Sequence, residues 1–126
     1  LPICHQLSVR DFVEASAAQM GVSLRWVGEG KDEVGIVETV DGSVLEGDDL
    51  QVAPGDTILR IDPEYYRPAE VDTLLGDPSK AHADLGWQPT TTLDEMVAEM
   101  MANDLDAARQ QALLRASGFN VTPSRE

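Results

Sequence analysis

A capped helix and an alternating strand, separated by a single glycine, constrain the fold of this chain more than any other feature. Ser8 precedes Asp11 by three residues, which is typical of a capping box with aspartate in the role of the usual glutamate. Apolar residues then recur at helical spacing as far as Gly21, so we expect an amphipathic helix that ends there. Residues 22–27 alternate between apolar and other side chains, the period of a half-buried strand. The sequence therefore predicts an α/β fold.

Further strands are expected in the middle of the chain. Residues 34–40 and 43–45 flank an Asp-Gly pair, which favours a short hairpin. Residues 57–61 follow a Pro-Gly-Asp turn and predict another strand. Residues 71–75 are apolar enough for a last short strand that ends at Gly76. We expect short strands with flanking helices.

Two helices are predicted in the second half. Asp77 is a good N-cap for a short helix with Pro78 at its first position, and Gly86 is expected to end that helix. Trp87 follows, and we expect its ring to be buried.

Thr92 and Glu95 form a second capping box. The helix that it begins has an apolar stripe of Leu93, Met96, Val97, Met100 and Met101, which we interpret as core. Residues 103–104 are expected to restart a second helical segment that ends at Gly118, and residues 120–126 to form a flexible tail after a lobe of residues 1–119.

Length and charge exclude several classes of protein. The 126 residues suit one domain, and nine basic against 23 acidic side chains give a net charge of −14. Such a charge repels the phosphates of nucleic acids and anionic lipids, and the basic residues are scattered, so we expect no nucleic-acid partner. No apolar run approaches the ~20 residues that span a bilayer, so we expect no membrane partner.

Metal binding and disulfide formation are not expected. Cys4 is the only cysteine and His5 and His82 are the only histidines, too few for a zinc site. The acidic residues between 41 and 49 lack the spacing of a calcium loop, and solvation explains them better. A reducing, cytoplasmic setting fits this composition. The chain begins with Leu1, which we do not expect to be its native start.

Glycines and an arginine near the first strand also invite functional interpretations. Gly28, Gly30 and Gly35 do not have the G-x-G-x-x-G spacing of a phosphate-binding turn, so a loop is expected. Arg10 falls in the first helical turn, where a cation opposes the helix dipole. We expect Glu14 to compensate that charge, with a ligand as the alternative.

The stretch of residues 62–81 carries the best candidate for a binding site. Pro68 fixes its own φ and favours an extended conformation at Arg67, so the guanidinium is presented from a stiff backbone. Glu70 offers carboxylate oxygens that accept hydrogen bonds from hydroxyls. The pair is suited to a ligand with phosphates and hydroxyls, and equally to a solvated ion pair.

The motifs together resemble the C-terminal, substrate-binding part of the GDP-mannose 4,6-dehydratase family, within the extended short-chain dehydrogenases/reductases. The resemblance covers residues 8–119. The motifs that carry it are Ser8-Val9-Arg10-x-Phe12-Val13-Glu14, Tyr66-Arg67-Pro68-Ala69-Glu70-Val71, Leu74-Leu75-Gly76-Asp77-Pro78-x-Lys80-Ala81, Leu85-Gly86-Trp87-x-Pro89, and Glu95-Met96-Val97 through Asn103-Asp104-Leu105.

This resemblance implies specific roles. Arg67 would contact the pyrophosphate of GDP-mannose and Glu70 a ribose hydroxyl. The whole enzyme would be an NADP-dependent lyase, and a homo-oligomer, that converts GDP-mannose to GDP-4-keto-6-deoxy-mannose with loss of water. The sequence shows neither a dinucleotide fingerprint nor a Tyr-x-x-x-Lys pair. We therefore expect no catalytic residues and no Rossmann domain in this chain, and little turnover by it alone.

Two other functions stay open. The shared motifs also occur in epimerases and reductases of the same superfamily. A lobe without catalysis would instead serve as a GDP-sugar-binding or interaction module.

Overall fold

The computed structural model describes residues 6–47, 50–69 and 74–121. Helices flank a small sheet of short strands, which confirms the α/β class. In chain order the elements are α1 (Val9–Ala18), β1 (Val22–Val27), a 3₁₀ turn (Gly30–Asp32), β2 (Val34–Val40), β3 (Thr57–Arg60), α2 (Ser79–Leu85) and α3 (Leu93–Ala116). None of the helices in these ranges has the length and hydrophobicity that crossing a bilayer requires.

The sheet is antiparallel, with β2 between β1 and β3. Val34 at the start of β2 is opposite Val27 at the end of β1 and Arg60 at the end of β3. We call this edge of the sheet the Val34 end. Since two strands finish and one begins there, the segments beyond them meet at that edge.

The core is small and lies between α1 and the sheet. Ala17, Val22 and Val37 are buried, and partly buried apolar side chains surround them: Met20, Leu24, Val40, Leu50 and Val52. Val97 of α3 is also buried, and α3 packs against α1. Full burial of one valine side chain contributes about 1.5–3 kcal/mol to stability. A core of this size therefore supports only a modest free energy of unfolding.

Both capping boxes are confirmed. In α1 the Asp11 amide donates to Ser8 Oγ at 3.1 Å, and the Ser8 amide donates to Asp11 Oδ2 at 3.0 Å. In α3 the Glu95 amide donates to Thr92 Oγ1 at 3.2 Å, and the Thr92 amide donates to Glu95 Oε2 at 2.7 Å. Each box satisfies backbone donors that the first helical turn leaves unpaired.

The predicted hairpin partner at residues 43–45 is wrong, because residues 42–47 form turns. The Asp41 carboxylate accepts from the Ser43 amide at 3.0 Å and from Ser43 Oγ at 2.6 Å. Such local bonds satisfy the backbone without a ladder partner. The strand that pairs with the free side of β2 is β3. Of the predicted strand at residues 71–75, positions 71–73 lie outside the described residues, and Leu74 and Leu75 are in no strand.

The short helix after Asp77 is confirmed with one shift. Pro78 occupies the cap position, while Asp77 Oδ1 accepts from the Ser79 amide at 3.0 Å, which is the bond expected of an N-cap side chain. Gly86 ends the helix with φ of 65°. Trp87 is 45 % exposed, so its predicted burial is wrong. The helix beside it has no buried residue and provides no core to receive the ring.

The predicted restart at residues 103–104 is also wrong, since α3 runs without interruption for 24 residues. The Asn103 and Asp104 side chains are exposed, so water competes with any hydrogen bond from them to the local backbone. The predicted stop at Gly118 is confirmed. The Phe119 amide donates to Leu114 O and the Gly118 amide to Arg115 O, both at 3.0 Å, in a Schellman arrangement.

Gly21 gives the first stability prediction. Its φ is 74°, and a Cβ there would lie 2.4 Å from the carbonyl oxygen of Asp41. Gly21→Ala should lower the free energy of unfolding by about 1–3 kcal/mol from backbone strain alone, measured by urea denaturation. Gly42→Ala is the matched control, because nothing lies within 4 Å of a Cβ at that position. Equal effects of the two substitutions would contradict this account.

Candidate functional site

Arg67 follows an exposed turn that leaves the sheet at the Val34 end. After β3, the Tyr65 amide donates to Asp62 O at 3.1 Å and the Glu64 amide donates to Asp62 Oδ1 at 2.9 Å. These bonds close a turn at residues 63–65, which leads directly to Tyr66 and Arg67. We call residues 62–67 the Arg67 turn. The Arg67 side chain is exposed. Its position just beyond a strand matches the sequence-based expectation, whereas Glu70 lies outside the described residues.

Tyr66 connects this turn to the 3₁₀ turn. A Cβ built on Gly30 would lie 3.5 Å from Tyr66 Oη, so the tip of the phenol is close to that glycine. Within the 3₁₀ turn, the Glu33 amide donates to Gly30 O at 3.3 Å. Gly28 allows the tight path, since its φ is 88° and a Cβ there would lie 2.4 Å from Asp32 O. The Arg67 turn and the 3₁₀ turn are therefore neighbours.

Arg10 reaches the same edge from α1. Its Nη2 forms an ion pair with Glu33 Oε1, and its guanidinium carbon lies 5.4 Å from the centroid of the Trp26 ring. Trp26 Nε1 in turn donates to Glu14 Oε1 at 2.6 Å. The expected pairing of Arg10 with Glu14 is thus wrong. A half-buried indole N–H needs an acceptor, and Glu14 supplies it, while Glu33 neutralises the arginine.

The Trp26 ring covers a strand glycine. A Cβ on Gly35 would lie 3.1 Å from Trp26 Cζ3 and 3.2 Å from Leu59 Cβ. The missing side chain leaves room for the indole to lie across β2, directly opposite in the register. The three glycines at 28, 30 and 35 are explained by turn geometry and ring packing.

Charges of both signs collect at the Val34 end. The cations on the elements that meet there are Arg10, Lys31, Arg60 and Arg67, and the carboxylates are Glu14, Glu29, Asp32, Glu33, Asp62 and Glu64. Cations therefore form a larger share of the charged side chains at this edge, four against six carboxylates, than in the whole chain, which has nine basic and 23 acidic residues. Among the described residues, no group of histidine, cysteine and acidic side chains is placed to hold a metal ion.

A groove elsewhere is less suited to an anionic ligand. It encloses about 510 Å³ between Gln6, Leu7 and the segment of residues 89–94, and an adjoining space of about 340 Å³ is lined by residues that include Val9 and Leu74. Helix N-termini favour anions, but here the capping carboxylates already occupy them.

Those carboxylates stay ionised at neutral pH. The side-chain hydrogen bond from Ser8, followed by that of its backbone, lowers the pKa of Asp11. The backbone hydrogen bond from Thr92, followed by that of its hydroxyl, lowers the pKa of Glu95. No cation is found among the described residues that line the groove, whereas four lie at the Val34 end, so the Val34 end is the better candidate site for an anion.

Comparison with known proteins gives one consistent family. The family model described as GDP-mannose 4,6 dehydratase matches residues 3–100. A GDP-mannose 4,6-dehydratase of Vibrio cholerae is 48% identical over 96% of this chain, and one of Yersinia enterocolitica is 46% identical over 96%. The GDP-mannose 4,6 dehydratase 2 of Caenorhabditis elegans is 44% identical over 79%. The chain spans 31%, 32% and 22% of the lengths of these relatives.

The Glu95 cap predicts a pH dependence. Because the folded pKa lies below the ordinary value of 4.5, the carboxylate stabilises α3 fully above that value, and the contribution is lost as the pH falls through the lowered pKa. Glu95→Gln keeps the capping shape without the charge, so it should be less stable than the unsubstituted chain at pH 7, and the difference should become smaller at pH 3. Thermal unfolding followed by circular dichroism measures the difference.

Glu99→Gln removes the same charge from an exposed position within α3 and is the matched control. Its stability difference from the unsubstituted chain should change less between the two pH values. A Glu95→Gln difference that is the same at pH 7 and pH 3 would contradict a charged cap.

Proposed function

The chain belongs to the GDP-mannose 4,6-dehydratase family, and we propose that it forms the sugar-nucleotide-binding lobe of such an enzyme. This small α/β unit would be the C-terminal substrate-binding lobe of an extended short-chain dehydrogenase/reductase. The identity of 48% over nearly the whole chain supports that assignment. The position of Arg67 at the Val34 end is the structural observation that carries the proposal.

Arg67 would hold the diphosphate. Its guanidinium offers several N–H donors in a fixed planar arrangement that matches phosphate oxygens. The turn closed by Asp62 and the adjacent proline restrict the backbone, so little freedom is lost when the anion binds. A hydrogen bond to a charged group contributes about 1.5–3 kcal/mol.

Glu70 would accept hydrogen bonds from a ribose hydroxyl. This role rests on sequence alone, because the residue lies outside the described ranges. A carboxylate three positions from the arginine would act on the part of the ligand next to the diphosphate. The two residues would then recognise a nucleoside diphosphate rather than an isolated phosphate.

The reaction of the whole enzyme would convert GDP-mannose to GDP-4-keto-6-deoxy-mannose with loss of water, in a cytoplasmic homo-oligomer. NADP would supply the hydride chemistry when bound. The described sheet is antiparallel, and the sequence has no G-x-G-x-x-G turn between a strand and a helix, so NADP does not fit the residues of this chain. We assign this lobe binding and orientation of the sugar nucleotide, which replace a costly bimolecular encounter.

A chimera tests the proposal. The homologous region of the Vibrio cholerae enzyme would be replaced by this chain, and loss of water from GDP-mannose would be assayed. We expect an active chimera, and Arg67→Ala in it should raise KM for GDP-mannose by roughly 10- to 150-fold, the equivalent of one charge-assisted bond. The change in kcat should be smaller, because the contact is present before and during the reaction.

Arg115→Ala is the control, because it removes the same charge from an exposed site in the last turn of α3. Its KM should stay close to that of the unsubstituted chimera. A KM that does not respond to Arg67→Ala would contradict the diphosphate role. A folded chimera that binds GDP-mannose without releasing water would favour a related epimerase or reductase.

A further inference from the structure

The proposed function leaves one group of side chains at the Val34 end without a role. We call Arg10, Glu14, Trp26 and Glu33 the Arg10 cluster. It joins the first turn of α1 to the end of β1 and to the residue that precedes β2. Residues 10 and 33 are far apart in sequence, so the contact fixes one element against another.

The ion pair of this cluster adds little to overall stability. The Arg10 side chain is 52% exposed, and an exposed ion pair contributes little after solvent screening. A cation in the first turn of a helix also opposes the helix dipole. The two effects are small and of opposite sign, so the ion pair matters for the elements it positions more than for stability.

A short path of contacts runs from Arg10 to the Arg67 turn. Glu33, which takes the arginine, closes the 3₁₀ turn through its amide bond to Gly30 O at 3.3 Å. A Cβ built on Gly30 would lie 3.5 Å from Tyr66 Oη, so the phenol is close to Gly30, and Tyr66 immediately precedes Arg67. Glu33 is therefore linked through the 3₁₀ turn to the neighbourhood of Tyr66.

We propose that Arg10 is a positioning residue for sugar-nucleotide binding. By holding Glu33, it fixes the 3₁₀ turn against which Tyr66 packs, and so sets the direction of Arg67. The inference rests on the proposed function, because it requires that Arg67 bind the ligand. Arg10 itself does not contact the ligand in this arrangement.

The positioning role of Arg10 can be separated from support of the sheet. Removal of Arg10 takes away its contact with the Trp26 ring, but the bond of Trp26 to Glu14 and its packing over Gly35 do not involve Arg10 and should remain. Loss of Arg10 should therefore loosen the 3₁₀ turn while the sheet stays covered. Glu14→Gln is a suitable control, because glutamine still accepts from the indole and the path through Glu33 is untouched.

Calorimetry of the full chain with GDP tests the binding half of the inference. Arg10→Ala and Glu33→Gln should each weaken GDP binding by about three- to tenfold, which is in the lower part of the range for coupled neighbours. Arg10→Lys, which keeps the charge, should recover part of the affinity, and Glu14→Gln should leave it unchanged.

A double-mutant cycle distinguishes positioning from a general structural effect. If Arg10 acts through Arg67, then Arg10→Ala should have little further effect when Arg67→Ala is already present. An equal loss of affinity in both backgrounds would overturn the inference. So would unchanged GDP affinity of Arg10→Ala while the unsubstituted chain binds GDP. Failure of the unsubstituted chain to bind GDP would instead count against autonomous ligand binding, and so against the proposed function on which the inference rests.

Amide hydrogen exchange tests the structural half without ligand. In Arg10→Ala the amides of Glu33 and Tyr65, which close the two turns, should exchange faster. The Gly55 amide, bonded to Val37 O at 2.8 Å, is the control and should not change. Unchanged exchange at Glu33 and Tyr65 would overturn the inference whatever GDP does.

Discussion

The pairing of β2 with a strand on each side is the constraint on which the rest of the structure depends. Val34 is opposite both Val27 and Arg60, so the end of β1 and the end of β3 are held at one edge. The loops beyond them carry the Arg67 turn and the 3₁₀ turn. Without this register, the segment that carries Arg67 would leave β3 without the 3₁₀ turn beside it. The pairing of the strands therefore determines where the candidate site lies, and side chains of the loops at that edge form it.

Local chemistry explains most of what the sequence predicted correctly. Helix starts were found because capping boxes are short-range patterns, and Gly118 ends α3 through bonds within five residues. The incorrect predictions concern residues whose structure depends on competing local hydrogen bonds or on packing against distant elements. Ser43 donates to Asp41 instead of pairing in a strand, and the Trp87 ring stays exposed because α2 has no buried residue to pack against. Nothing in the spacing of Arg10 and Glu33 indicates that they meet, because only the fold brings them together.

The candidate site was predicted better by its residue types than by its surroundings. The Arg67-Pro68 pair identified a stiff cation from sequence, since proline restricts both residues through local sterics. The roles of Tyr66 and Gly30 as neighbours depend on tertiary contact and carried no sequence signal beyond a glycine in a loop. The predicted pairing of Arg10 with Glu14 is wrong because Glu14 accepts from the indole of Trp26, and Arg10 pairs with Glu33.

Charge placement reconciles an acidic chain with an anionic ligand. Fields from distant carboxylates are screened over about 8–10 Å, whereas cations at one edge act directly on a bound diphosphate. The groove between the N-termini of α1 and α3 has no cation among its described lining residues, and Asp11 and Glu95 already cap those helix ends. The four cations at the Val34 end therefore favour that edge as the site for an anion.

Titration of the isotope-labelled full chain with GDP, followed by amide chemical shifts, tests this choice most directly. The account predicts that the largest shifts fall on Arg67, Tyr66, Gly30 and Glu33. Shifts confined to Leu7 and residues 90–93, or no shifts at high GDP concentration, would contradict it.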